Sequence, residues 1–261
     1  MLTFNRDVHV EFNEEQHKYY VDGNAMNTSV TTLVHQYFKP FDKTRTANLM
    51  LRGKNFWNDE KYSSYWDLVR GLKHQDAVDA IVNLWSNGDA ALLGTAMHAC
   101  IEDYYMHGKK PDVLTPELDM FFRFDDYSRE LGYEPKKSEQ IVYDTDYSLA
   151  GSVDMLYIDR ETGDYWLVDW KRSKEIKFEG YRGLKALPPI DDKQDCNYEQ
   201  YSLQLNIYKF LLEKNYGLSI CRMSLVILHP NNDDYIIIDV EDNQEAVEVI
   251  LTDRAKKFGR R

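Results

Sequence analysis

"DYWLVDWKRSK", residues 164–174, opens like a covered strand, because Tyr165, Trp166, Leu167 and Val168 are the aromatic and branched types that suit a pleated, buried surface. Asp169 and Lys171 interrupt it. Side chains alternate across a strand, so two positions two apart share a face and this carboxylate and ammonium point the same way. Three readings are open: the strand exits into solvent, the two charges pair with each other, or they form a site for something charged. The stretch on its own does not choose among them.

The neighbouring segments set the fold around it. Strands are expected at about 136–146, 149–159 and 164–171, the last two joined by the turn signal Gly163-Asp164. Helices are expected at about 91–107 and 116–131, ending at Gly108 and Gly132, and at about 198–215. Strands at 220–229 and 234–240 and a terminal helix complete the chain. Upstream, residues 8–12 and 17–21 alternate as a hairpin ending at Asp22-Gly23, and "TSVTTLVHQYF" forms a helix capped by Thr28 or Ser29 and stopped near Pro40. Residues 41–90 read as helices. The order predicts an α/β protein with a central sheet flanked by helices, divided into an N-terminal hairpin and helical lobe over 1–90 and a core over 91–261.

Composition narrows the function classes. With 261 residues, 43% of them hydrophobic, the chain buries a sizeable core. No apolar run spans a bilayer, and "MLTFNRDVHVEF" lacks the pattern of a secretion or transit signal, so an intracellular, cytoplasmic protein is expected. Cys100, Cys196 and Cys221 are scattered, without CxxC spacing, and read as free thiols, which argues against an iron–sulfur cluster or structural zinc. A net charge of −12 disfavours wrapping nucleic acid with the whole surface but allows a local basic groove. Basic residues gather in "KRSKEIK" with Arg182 and Lys185, and in "DRAKKFGRR", which reads as a solvated tail.

Residues on three further segments stand out. Asp154 sits in "SLAGSVDMLYID" among apolar residues; with Asp169 and Lys171 on a neighbouring strand it would bring two carboxylates and an ammonium together, an arrangement that suits a hard cation such as Mg²⁺. His98 and Glu102 lie one turn apart on a helix whose apolar arc is Leu92, Ala96, Met97, Cys100, Ile101 and Tyr104, so they face water or a cleft. On the later helix Gln204 turns inward beside Tyr208, between Ile207 and Leu211, while Ser202, Asn206, Lys209 and Glu213 occupy the polar face. An inward amide needs partners, which a buried Gln–Tyr pair or a site would both provide.

Taken in order, "GTAMHACIE" on a helix, "AGSVD" and "LVDWK" on successive strands and "QLNIY" on a later helix resemble the RecB-like branch of the PD-(D/E)XK nuclease superfamily. "NTSVTTLVHQYFKPFD" is similar to a helix that precedes the core in mitochondrial genome maintenance exonucleases and phage relatives. The resemblance implies a restriction-endonuclease-like core and an Mg²⁺- or Mn²⁺-dependent nuclease acting on DNA with single strands or free ends, in repair, recombination or replication. It implies metal ligation by Asp154, Asp169 and the Trp170 carbonyl, with His98 at the edge of the site and Glu102 supporting. Lys171 would orient and activate water, and Gln204 and Tyr208 would position Lys171 and the phosphate. Lys174, Lys177 and Arg182 would hold the nucleic acid, with Phe178, Tyr181 and the aromatics of "YFKPF" stacking on bases in a passage bordered by 172–197 and the N-terminal helices. A catalytically inactive binding module on the same fold, or an endonuclease acting on DNA or RNA, is the alternative.

Overall fold

The computed structural model describes residues 4–16 and 18–258. In chain order the elements are β1 (Val10–Asn13), β2 (Lys18–Val21), β3 (Asn24–Ala25), β4 (Thr28–Ser29), α1 (Val30–His35), α2 (Lys43–Arg52), α3 (Ser63–Val69) and α4 (His74–Asn87). Then come α5 (Asp89–His107), α6 (Pro116–Glu130), β5 (Tyr133–Asp144), β6 (Leu149–Asp159), β7 (Tyr165–Lys171), α7 (Asn197–Tyr216), β8 (Ile220–Ile227), β9 (Ile236–Asp239) and α8 (Gln244–Phe258). Position 17 of the expected hairpin and the last three residues of the expected tail lie outside the described residues.

The chain forms two compact units. Residues Pro40–Thr95 make a helical unit in which α2, α3 and α4 enclose Ala47, Phe56, Val69, Val78 and Ile81. The other unit takes the described residues up to Lys39 together with those from Ala96 on. The N-terminal hairpin and α1 belong with the sheet because β4 pairs in parallel with the start of β6, through Thr28 against Leu149 and Ser29 against Ala150. Ser29 caps α1 by accepting the Thr32 amide, one of the two caps expected.

The sheet of this unit has six strands of mixed direction, flanked by helices, which is the expected α/β architecture of a restriction-endonuclease-like core. β5–β6–β7 run antiparallel, β7 and β8 parallel with α7 as the crossover, and β8–β9 antiparallel. The alternation within β7 sorts its side chains between two cores. Trp166, Val168 and Trp170 pack with Met97, Ile101, Phe121 and Phe124 of α5 and α6, whereas Leu167 belongs to the core under α1, α7 and α8. By period two, Asp169 and Lys171 fall on the α7 side.

α7 is buried nearly all round, which corrects the expected polar face at two positions. Ser202 and Asn206 are buried. Asn206 donates to the Ser202 and Glu241 carbonyls and accepts from the Asn243 amide at 2.7 Å, so it ties α7 to the entry of α8 and every polar atom of the amide has a partner. Among the described residues no helix is long and apolar enough to cross a membrane.

Candidate active site

Register brings the acids together. β6 and β7 pair from Ile158–Tyr165 down to Met155–Val168, where the ladder stops. The next opposed positions are Asp154 and Asp169. On its other edge β6 pairs with β5 on both sides of Asp154, through Ser138–Met155 and Gln140–Val153, so Glu139 stands across from Asp154. Three carboxylates therefore occupy one row across three strands, where neighbouring chains are about 4.8 Å apart.

The ladder opens there for a visible reason. The Trp170 amide, past the last β6–β7 pair, donates instead to Asp154 Oδ2 at 2.8 Å. The β6 edge vacated between the short β4 pairing and the β7 ladder is met by α7. A Cβ on Gly151 would come within 2.7 Å of Tyr208 Cε1 and 2.9 Å of its hydroxyl, so glycine at that place is what admits the Tyr208 ring.

Two groupings emerge. In the first, Lys171 Nζ lies 2.5 Å from Asp169 Oδ2 and 4.6 Å from the Tyr201 ring centre, and Gln204 Nε2 donates to Asp169 Oδ1 at 3.4 Å and to the Tyr208 hydroxyl at 3.5 Å. The ion pair is among the three readings the sequence left open. Burial pulls the Lys171 ammonium down, but the Asp169 and Asp154 charges outweigh it and raise its pKa. Lys171 is thus a cation at neutral pH. Burial, resisted by Lys171, pushes Asp169 up to about 6.

In the second grouping, His98 Nε2 donates to the Trp170 carbonyl at 3.0 Å, which turns Nδ1 toward Asp154 Oδ2 at 3.6 Å and Glu139 Oε1 at 3.9 Å. His98 therefore faces the acids from α5; it does not look out to water. Burial lowers its pKa, but Asp154 and Glu139 prevail and lift it to about 9. Burial also raises Asp154, with the His98 charge opposing. Ligand atoms of His98, Glu139 and Asp154 lie within 4.8 Å of one another, and an imidazole with two carboxylates is a donor set that could hold a metal ion.

Other expected residues stand apart. Glu102 is exposed and outside that group of three; burial and then the Glu139 charge raise its pKa. Leu92, expected on the apolar arc of α5, is 70% exposed, while Met97 and Ile101 of that arc are buried. Lys174, Lys177 and Arg182 are exposed, Lys177 with Glu175 at 3.6 Å and Arg182 over the Tyr181 ring. Arg172 of the same basic run is turned inward, donating to Glu117 at 2.7 Å. Phe178 and Tyr181 are exposed, Phe178 with one side against Tyr198. Tyr37 and Phe38 are 2% and 4% exposed and have no free face for a base, which overturns the stacking role expected for them. They are drawn into the core under α8, where the Tyr37 hydroxyl donates to Asp253.

Glu139 was not legible as a site residue. Glu139 lies in "KKSEQ", a polar run in which one more acid carries no signal. Tyr19 comes from β2; burial, then the Glu139 and Asp154 charges, push its phenol up to about 12.

No protein-family model and no curated protein matches this chain. Among solved structures it is similar to SSO0001, with 14% identity and a TM-score of 0.32 over 88% of this chain and 75% of that one. It is also similar to a phage-related exonuclease from Haemophilus somnus 129PT, with 9% identity and a TM-score of 0.30 over 87% of this chain and 96% of that one.

Proposed function

We propose that the protein is a metal-dependent nuclease that hydrolyses phosphodiester bonds of DNA, acting on single strands or free ends in repair, recombination or replication. The observation that carries this reading is the register that sets Asp154 against Asp169 at the open end of the β6–β7 ladder, with Lys171 on the same face as Asp169. Nothing in a stable sheet requires two opposed carboxylates there; a site for a cation and a phosphate does.

Asp154, Asp169, His98 and the Trp170 carbonyl would hold Mg²⁺ or Mn²⁺, with Glu102 in support. When bound, such an ion supplies Lewis acidity toward the phosphate and lowers the pKa of a water. The Trp170 amide fixes the Asp154 carboxylate. Lys171, kept charged by Asp169, donates to a phosphate oxygen or to the attacking water. Gln204 holds Asp169 from the side opposite Lys171, and Tyr208 backs Gln204. Lys174, Lys177 and Arg182 draw in the nucleic-acid backbone, and Phe178 and Tyr181 stack on bases, a contact worth about 1–3 kcal/mol per base and indifferent to sequence.

The test is cleavage of linear single-stranded, linear duplex and closed circular DNA, labelled at each end, with Mg²⁺, with Mn²⁺ and with chelator. Metal-dependent loss of linear strands, with closed circles spared, is the expected result. Closed single-stranded circles cut as fast as linear strands would remove the end-directed part, and no cleavage in any metal would remove the nuclease.

A further inference from the structure

We infer that Glu139 is a further ligand of the catalytic cation, so that β5 contributes a donor beside those of β6 and α5. The inference rests on the reading of this site as metal-dependent and adds to it a residue that the four sequence motifs do not contain.

His98 and Glu139 each have one contact that orients them and another atom left facing the site, and Asp154 has an orienting contact of its own. His98 is held by the Trp170 carbonyl through Nε2, which leaves Nδ1 as the nitrogen nearest the acids. Glu139 Oε2 accepts the Ser152 hydroxyl at 2.6 Å, which leaves Oε1 toward His98. Asp154 is held by the Trp170 amide. Outer partners that aim the inner donors are what distinguishes a built metal site from acids that are merely neighbours.

The backbone of Glu139 agrees. Its φ is +48°, the left-handed region that a residue with a long side chain rarely adopts, and its carboxylate opposes that of Asp154. The backbone conformation is a cost, and a glutamate serving only to accept from Ser152 does not need it, whereas a bound cation uses the side chain where that backbone sends it.

Mn²⁺ binding to the whole protein is measured by calorimetry, with thermal unfolding alongside, for the natural sequence, Glu139→Gln and Glu134→Gln. Glu134 is on the same strand, paired with Lys136, and serves as the control. Glu139→Gln is expected to weaken Mn²⁺ binding about 10–100-fold and to shrink the metal-induced rise in Tm. Glu134→Gln is expected to bind within about twofold of the natural protein. Unchanged Mn²⁺ affinity in Glu139→Gln overturns the inference alone, and no Mn²⁺ uptake by the natural protein overturns it together with the proposed function. Should Glu139→Gln fold poorly, Ser152→Ala keeps the carboxylate and removes what aims it: weakened Mn²⁺ binding then supports the inference, and unchanged binding overturns it.

Discussion

The Trp170 amide donates to Asp154 Oδ2 across the point where the β6–β7 ladder ends, so one acid of the site replaces the hydrogen bond that the sheet gives up there. The contact separates two roles of Asp154 that mutation can resolve. Asp154→Ala leaves a buried amide without a partner, a loss of about 1–3 kcal/mol. Asp154→Asn keeps an acceptor for that amide and removes only the charge. Both are expected to lose nearly all cleavage, as are Asp169→Ala and Lys171→Ala, but of the two variants at 154 only the alanine should unfold markedly earlier in urea. Full activity in Asp169→Asn would contradict the proposed chemistry.

Gln204→Ala should lower kcat about 10-fold with KM and stability little changed, because its amide contacts Asp169 and Tyr208 and no apolar core depends on it. Steady-state cleavage beside a urea titration checks this. Normal turnover would return Gln204 to a packing role.

Gly151→Ala should cost about 1–3 kcal/mol, since the new methyl group collides with Tyr208 and Val30 in a full core. The urea midpoint should fall with the m-value unchanged.

The buried Asp144 carboxylate sits against Lys214 Nζ at 2.6 Å and Asn215 at 3.0 Å. Burial raises its pKa, but these partners outweigh it and hold it below its ordinary value. A depressed folded-state pKa contributes stability above the unfolded value, about 3.9, that is lost as pH falls through the folded one. The stability gap between the natural protein and Asp144→Asn is therefore expected at pH 7 and should close below about pH 4. A gap that persisted unchanged at pH 2.5 would assign it to shape and not to charge.

Replacing Lys174, Lys177 and Arg182 together by alanine should weaken single-stranded DNA binding and reduce the slope of log K against log salt by about 2, at about 0.7 per phosphate contact. Mn²⁺ binding should be unaffected. An unchanged slope would exclude the exposed basic segment from the DNA path.

The elements were legible because each has a local cause. β6 runs over the expected 149–159, and α5, α6 and α7 lie within two residues of the expected ends, where Gly108, Gly132 and Gly217 take up positive φ. Period two put Asp169 and Lys171 on one face, and the inward angle of Gln204 foretold a polar partner. What tertiary structure decided was everything that depends on which strands meet and in which register. Glu139 reaches the site only because β5 pairs with β6 so that position 139 opposes 154, and a polar run offers no pattern from which such a register can be read. His98 faces the acids and not solvent because α5 lies over Trp170, a packing choice that helical spacing leaves open. Asn206 is polar by type yet buried, since the start of α8 supplies partners for its amide. Tyr37 and Phe38 are aromatic by type and were free to stack on a ligand or fill a core; the apolar volume beneath α8 claimed them. Local sequence determines which backbone forms, through periodicity, caps and turns, whereas long-range pairing determines which side chains become neighbours, and the chemistry of this site belongs to the second.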